Sequence, residues 1–140
     1  MGKSIKEVMT SDPTTVQSSA SIVEAARAMR DEDAGIVPVV ENDRLVGTVT
    51  DRDIAVRVVA EGRDVQSTTV RDIASTDLVT VDPQQNLDEA LRLMAEHQVR
   101  RLPVVEEDGR LVGIVAQADV ARESDDRRTG ELVEDISQPQ

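Results

Sequence analysis

Along the chain, apolar residues recur first at helical and then at strand spacing, and the pattern is written twice. Ile22, Ala25, Ala26 and Met29 fall at i, i+3, i+4 and i+7, one apolar helix face, and Leu87, Ala90, Leu91 and Met94 repeat it. Ser21-x-x-Glu24 and Asn86-x-x-Glu89 open these stretches as capping patterns, with Asn in place of the usual Ser or Thr. Ser4-x-x-Glu7 and Thr69-x-x-Asp72 predict a shorter helical turn ahead of each. Residues 14–16 and 79–81 read as brief strands. After each amphipathic helix come VPVV or LPVV, a polar turn (ENDR or EEDGR), and LVGTV or LVGIV, a hairpin in each case. Pro38 and Pro103 place the first hairpin strand at a sheet edge, or at its own start. Further helices are predicted over 51–61 and from 117 to about 124.

Shifting the chain by about 65 residues lays SIKEVMT on TVRDIAS, SDPTTV on TDLVTV, SIVEAARAM on NLDEALRLM, and GIVPVVENDRLVG on RRLPVVEEDGRLVG. One added residue, Gly109, adjusts the second turn. The chain is a tandem duplication, with repeats at 4–62 and 69–124 and a linker over 61–68. Each repeat runs helix, strand, helix, strand, strand, helix, an α+β class. The stretch 125–140 is a polar tail in which Leu132, Val133 and Ile136 predict a short amphipathic helix.

Composition narrows the function. With 39% hydrophobic residues and no aromatic ones, the core must be packed from Val, Ile, Leu, Met and Ala. A net charge of −12 repels polyanions, and single-strand readers also need aromatic stacking platforms, so nucleic acid is not expected as a partner. Without cysteine there is no disulfide, thiolate nucleophile or thiolate metal site. Runs such as IVPVV are too short to cross a bilayer, and MGKSIKEVMT lacks the apolar stretch of a signal peptide. The expected location is the cytoplasm, with no membrane partner. No nucleophile elbow or paired catalytic carboxylates occur, and no enzyme activity is expected. His97 has no second imidazole to share a metal, and the acid clusters at 106–108 and 125–126 carry no calcium-loop pattern, so no metal site is expected. Gly2-Lys3-Ser4 lacks the strand and glycine-rich turn of a P-loop.

The duplicated phrase GTVTDRDI (47–54) and GIVAQADV (113–120) holds the candidate chemistry. Taken alone, Thr50-x-x-Asp53 is a capping pattern: the Thr oxygen takes a backbone N–H and the acid suits the positive helix end. A strand running straight into a helix also aims free N–H groups at whatever lies ahead, where a phosphate is well placed. Thr50 would add a hydroxyl donor, and Asp53 could accept from both hydroxyls of a ribose. In the second copy Ala116 replaces the threonine. A lost cap costs about 1 kcal/mol, and a lost hydrogen bond to a charged phosphate roughly 1.5–3 kcal/mol.

Two tandem copies of glycine followed by T/S-x-x-D, each after a P-V-V strand, resemble a cystathionine-β-synthase (CBS) domain pair, or Bateman module. The resemblance covers the chain from about Ser4 to about Ser124 and is strongest to small stand-alone bacterial pairs with HQVRR and TDRDI phrases. It implies two CBS repeats packed about a pseudo-twofold axis, with two clefts that commonly take adenosine derivatives such as AMP, ADP, ATP or S-adenosylmethionine. By position, the first cleft would use Thr50 for phosphate and Asp53 for ribose, with Thr48, Ala74, Val79, Val99 and Arg100 around the base and phosphates. The second would use Asp119 for ribose, with Met9, Thr14, Ala34, Gly35 and Ile114 around the base. Because of Ala116, the first is the expected stronger site.

Arg100 reads equally as a solvated cation or an anion ligand, whereas Arg101 reads rather as solvated. The resemblance implies a regulatory pair needing no cofactor, an adenine nucleotide as regulatory ligand, and a homodimer formed through the helices at 22–29 and 51–60. The alternative is a protein–protein adaptor of the same fold that binds no nucleotide and serves a partner still to be identified; a weaker third is an enzyme subunit whose catalytic partner is encoded separately.

Overall fold

A computed structural model describes residues 3–123; the predicted tail helix lies outside them. The elements are α1 (Ile5–Val8), β1 (Thr10–Ser11), β2 (Val16–Gln17), α2 (Ile22–Glu32), β3 (Ile36–Glu41), β4 (Arg44–Thr50) and α3 (Asp51–Ile54), which continues as a π-helix over Ala55–Val59. The second half has a 3₁₀ turn (Val70–Asp72), α4 (Leu87–His97), β5 (Arg101–Val105), β6 (Leu111–Ala116) and α5 (117–123). This is the expected α+β class.

The amphipathic helices start where the sequence predicts, and the first runs on to Glu32. Ser21 accepts from the Glu24 N–H at 3.2 Å, and Asn86 from the Glu89 N–H at 3.1 Å. Ile22, Ala25 and Met29 of α2 are buried, as are Leu87, Ala90 and Met94 of α4. Both helices end on a left-handed residue, Asp33 and Gln98, and the next N–H (Ala34, Val99) reaches back to the Met29 or Met94 carbonyl.

Two three-stranded sheets form, ordered β2-β3-β4 and β1-β6-β5. The first hairpin closes on two residues, Asn42 and Asp43, with φ of 52° and 66°, tighter than the four-residue turn expected. Both central residues are left-handed, as a turn matching strand twist requires. The inserted Gly109 has φ of 89° and spares the longer second turn a strained side chain. Pro38 lies inside a central strand, not an edge: β2 begins to pair only at Val39, so the missing N–H falls where β3 has no partner on that side. The strand expected over 79–81 shrinks to one bridge, Val81 to Val104, and its first-repeat counterpart shifts to Val16–Gln17. The helix predicted over 51–61 widens after Ile54; the wider turns leave Val58 fully buried while the Arg57 guanidinium donates to the Ile73 carbonyl at 3.0 Å.

The repeats of the sequence and the packed units of the structure do not coincide. Ile5, from the first repeat, is buried with Val81, Leu87, Met94, Leu102, Val104 and Val115 of the second. Val70 and Ile73, from the second, are buried with Val16, Ile22, Val37, Val39, Val49 and Val58 of the first. Each repeat thus lends its opening turn to the other. The Ile5 N–H donates to the Gln85 carbonyl at 2.8 Å, and the Val70 N–H to that of Ala20 at 2.8 Å. β1 completes the second sheet against Ile114 and Gly113, while Thr48 exchanges backbone hydrogen bonds with Ser75. At the opposite end the hairpin turns also join, Leu45 N–H to Gly109 and Leu111 N–H to Asp43.

A polar clasp holds the second exchanged turn. Arg71 donates to Glu41 at 2.9 Å and to Ser18 at 3.1 Å, and the buried Ser18 hydroxyl donates to Glu41 at 2.7 Å. The Ser18 hydroxyl first, and Arg71 with it, hold the Glu41 carboxyl below its ordinary pKa. The Thr69 backbone N–H does the same for Asp72.

Candidate functional site

The glycines of the duplicated phrase are explained by the exchange. A Cβ on Gly47 would stand 2.9 Å from the Ser75 carbonyl oxygen and 3.3 Å from the Ala74 methyl. A Cβ on Gly113 would stand 3.0 Å from the Thr10 carbonyl oxygen and would collide with the Met9 side chain. Each glycine lets the other repeat's opening segment lie flat on its strand. Met9 and Ala74, both expected near a base, are seated this way.

Beyond Gly47, β4 runs directly into α3. Thr50 accepts from the Asp53 N–H at 3.0 Å, and the Asp53 carboxylate accepts from the Thr50 N–H at 2.9 Å. Both residues therefore act as a reciprocal cap in this structure. The cap leaves chemistry in hand. An accepted hydrogen bond does not use the Thr50 hydroxyl proton, and a carboxylate has lone pairs beyond the one engaged. Asp53 is 17% exposed, with the Arg57 Nε 3.9 Å from its second oxygen. Of the remaining first-cleft residues, Thr48 is fixed to Ser75 and Ala74 packs on the first core, whereas Val79 and Val99 pack on the second.

A cavity of about 170 Å³ is lined by three of the residues assigned from sequence to the second cleft, Thr14, Ala34 and Ile114. Both repeats contribute, Thr10, Thr14, Glu32, Ala34 and Ile36 from the first, Arg101 and Ile114 from the second. Arg101 also lines a neighbouring depression of about 630 Å³ with Asp33, Gly35, Arg100, Ala116 and Gln117. Of the residues assigned from sequence to the second cleft, Gly35 lines this depression and not the cavity. Arg100, assigned from sequence to the first cleft, lines this depression too; the Gln117 N–H donates to its carbonyl at 2.7 Å and ties it to the start of α5. Neither Arg100 nor Arg101 has a side-chain hydrogen bond or ion pair among the described residues. Asp119 accepts from Arg122 at 2.7 Å. A depression of about 550 Å³ beside Asp12, Asp43 and Arg110 holds none of the predicted residues.

Thr10, Glu32 and Arg101 are the polar residues of the cavity that sequence reasoning did not assign to it. Glu32 had one legible signal: it is the last residue of α2, and its counterpart at the end of α4 is His97. Among the described residues no group of three or more His, Cys, Asp or Glu side chains is placed to hold a metal, and no helix is long and apolar enough to cross a membrane.

The CBS-domain family profile matches residues 5–60 and again 70–126. The CBS domain-containing protein YhcV of Bacillus subtilis is 48% identical over 118 residues, 84% of this chain and 83% of that protein. The crystal structure of Hypoxic Response Protein I, which holds two coordinated zinc ions, shares 40% identity with a TM-score of 0.79, covering 86% of this chain and 98% of that one. That of CBSX2 in complex with AMP shares 27% identity with a TM-score of 0.78, covering 91% and 99%. Matched in both halves by one family and in architecture by its solved structures, the chain belongs to the CBS-domain family, as a tandem pair.

Proposed function

We propose that this chain is a regulatory CBS pair that binds an adenosine-type ligand (AMP, ADP, ATP or S-adenosylmethionine) between its repeats and signals by a change in their arrangement. The observation that carries the reading is the composite cavity. Thr14 and Ala34 come from one repeat and Ile114 and Arg101 from the other, so a ligand seated there touches both. Such a ligand stabilises one relative orientation by its difference in affinity between arrangements. A related pair holding AMP supports the ligand class. Arg100 and Arg101, which have no side-chain hydrogen bond or ion pair among the described residues, give an anionic group a destination in a chain of net charge −12.

The two clefts differ chemically. The first has the Thr50 hydroxyl and Asp53; the second keeps Asp119 but has Ala116 where the hydroxyl would be. We assign phosphate-dependent binding to the first cleft. Calorimetric titration with AMP and ATP of the wild type, Asp53→Ala and Asp119→Ala tests this. Loss of the tighter event in Asp53→Ala is the expected result, and its loss only in Asp119→Ala reverses the assignment. In a thermal-shift screen a binding module gains stability as RT ln(1 + [L]/Kd), and a flat response to all adenine nucleotides leaves the adaptor reading in its place.

A second copy is the partner we assign to the α2 face. An apolar groove of about 350 Å³ lies between Val23, Ala26, Ile54 and Val65, and the nearby Val56 and Val59 are 46% and 65% exposed. Sedimentation should show a dimer; monomer alone at high concentration removes this part.

A further inference from the structure

The 170 Å³ cavity carries a feature that its counterpart in the duplicated plan lacks. The Thr14 hydroxyl donates to Glu32 Oε1 at 2.8 Å, and both side chains line the cavity. That bond consumes the only proton Thr14 can offer, so its oxygen turns to the cavity as an acceptor. An ionised carboxylate accepts only, and Glu32 has no further hydrogen bond or ion pair among the described residues. Arg101 lines the same cavity without pairing with Glu32. The cavity therefore has an acceptor pole, Thr14 with Glu32, and a cationic side, Arg101, continuing to Arg100 in the adjoining depression. In the other repeat Val79 stands where Thr14 does and His97 where Glu32 does, so the first cleft has no such pole.

We propose that Glu32, acting with the Thr14 hydroxyl it holds, is the specificity-determining residue of the second cleft and selects a purine bearing an exocyclic 6-amino group. The inference rests on the adenosine-type reading above and adds what that reading leaves open, namely which atom of the base is recognised and in which cleft. An amine donates to an acceptor pole. A purine without the amine leaves two acceptors facing an apolar C–H, and the polar groups go unpaired on closure. Both side chains face solvent, which keeps the penalty moderate, about tenfold in affinity rather than the far larger factor of a sealed pocket.

The test uses the full chain and follows the backbone amide resonances of Ala34 and Ile114, which report the second cleft alone. AMP, purine riboside 5′-monophosphate (the same nucleotide without the 6-amino group) and GMP are titrated into the wild type, Glu32→Gln, Thr14→Val and His97→Gln. Wild type should bind AMP about tenfold more tightly than the amine-free nucleotide. Glu32→Gln, whose amide can present a donor, and Thr14→Val should each bring that ratio below about threefold. His97→Gln should leave it unchanged. An equal ratio in wild type, an unaltered ratio in both Glu32→Gln and Thr14→Val, or tighter binding of GMP than AMP overturns the inference while leaving nucleotide binding intact. If no nucleotide moves Ala34 or Ile114, occupancy of this cleft is refuted and the inference falls with it.

Discussion

Replacing Ile5 with alanine tests the exchange of opening turns, the feature that ties the two repeats together. Ile5 is fully buried, and its neighbours are Val81, Leu87, Met94, Leu102, Val104 and Val115 of the other repeat. Truncation removes three carbons from a packed site and leaves a cavity, at a cost of about 2–4 kcal/mol. Alanine regains a few tenths of a kcal/mol of helix propensity in the short α1, which offsets little. The turn cannot collapse freely into the gap, because the Ile5 and Lys6 N–H groups are tied to Gln85 and Pro83 at 2.8 and 2.9 Å. The expected loss is about 3 kcal/mol, or roughly 10 °C in Tm for a chain of this size. Guanidinium unfolding measures the total, and amide hydrogen exchange locates it. Protection should fall at Leu102, Val104 and Val115, not at Val37, Val39 and Val49, although Ile5 precedes the latter group on its own repeat. A loss below about 1 kcal/mol, or weakening confined to 37–49, would refute the exchanged packing.

Gly47→Ala should cost about 1–3 kcal/mol in chemical denaturation, because the new methyl meets the Ser75 carbonyl at 2.9 Å, a backbone atom that cannot swing aside. Gly109→Ala meets nothing within 4 Å, so any loss there comes from its φ of 89° alone. Acid should loosen the exchanged turn at 69–73. Glu41 and Asp72 both have folded pKa values below their ordinary ones, so the stability they add is complete above the ordinary carboxylate range. It is lost as pH falls through the lowered folded values. Amide exchange at 70–73 between pH 6 and 3 should accelerate from about pH 5 downward. Arg71→Ala should shrink that response, and a pH-independent rate after correction for intrinsic exchange would show that the clasp contributes nothing.

Much of this molecule was legible in the order of its residues. The i, i+3, i+4, i+7 spacing marked two helices, and its i, i+3 and i+7 residues, Ile22, Ala25 and Met29, then Leu87, Ala90 and Met94, are buried, since a helix in water must hide one stripe; of the i+4 residues Leu91 is partly buried and Ala26 is exposed. The self-match at 65 residues, the caps and the hairpins then identified the duplicated plan. Local chemistry also named Thr50 and Asp53, and the structure pairs them as a reciprocal cap.

What the sequence left undecided was which copy each segment serves. Ile5 and Val70 occupy equivalent places in similar turns, so local propensity is indifferent to whether each packs at home or abroad. Only the three-dimensional path, with Gly47 and Gly113 admitting the other repeat's opening segment against each strand, chooses the exchange. The same holds for the cavity of about 170 Å³. Thr14 and Glu32 are separated by 18 positions and by the whole of α2, and Arg101 comes from the other repeat. No periodicity relates residues that meet only because two sheets close on each other. The near-miss at 79–81 has the same origin: β-branched residues favour extended chain, yet only Val81 finds a neighbouring strand to bond. Side-chain pattern is a property of nearest neighbours along the chain, whereas a cleft belongs to surfaces that distant segments bring together.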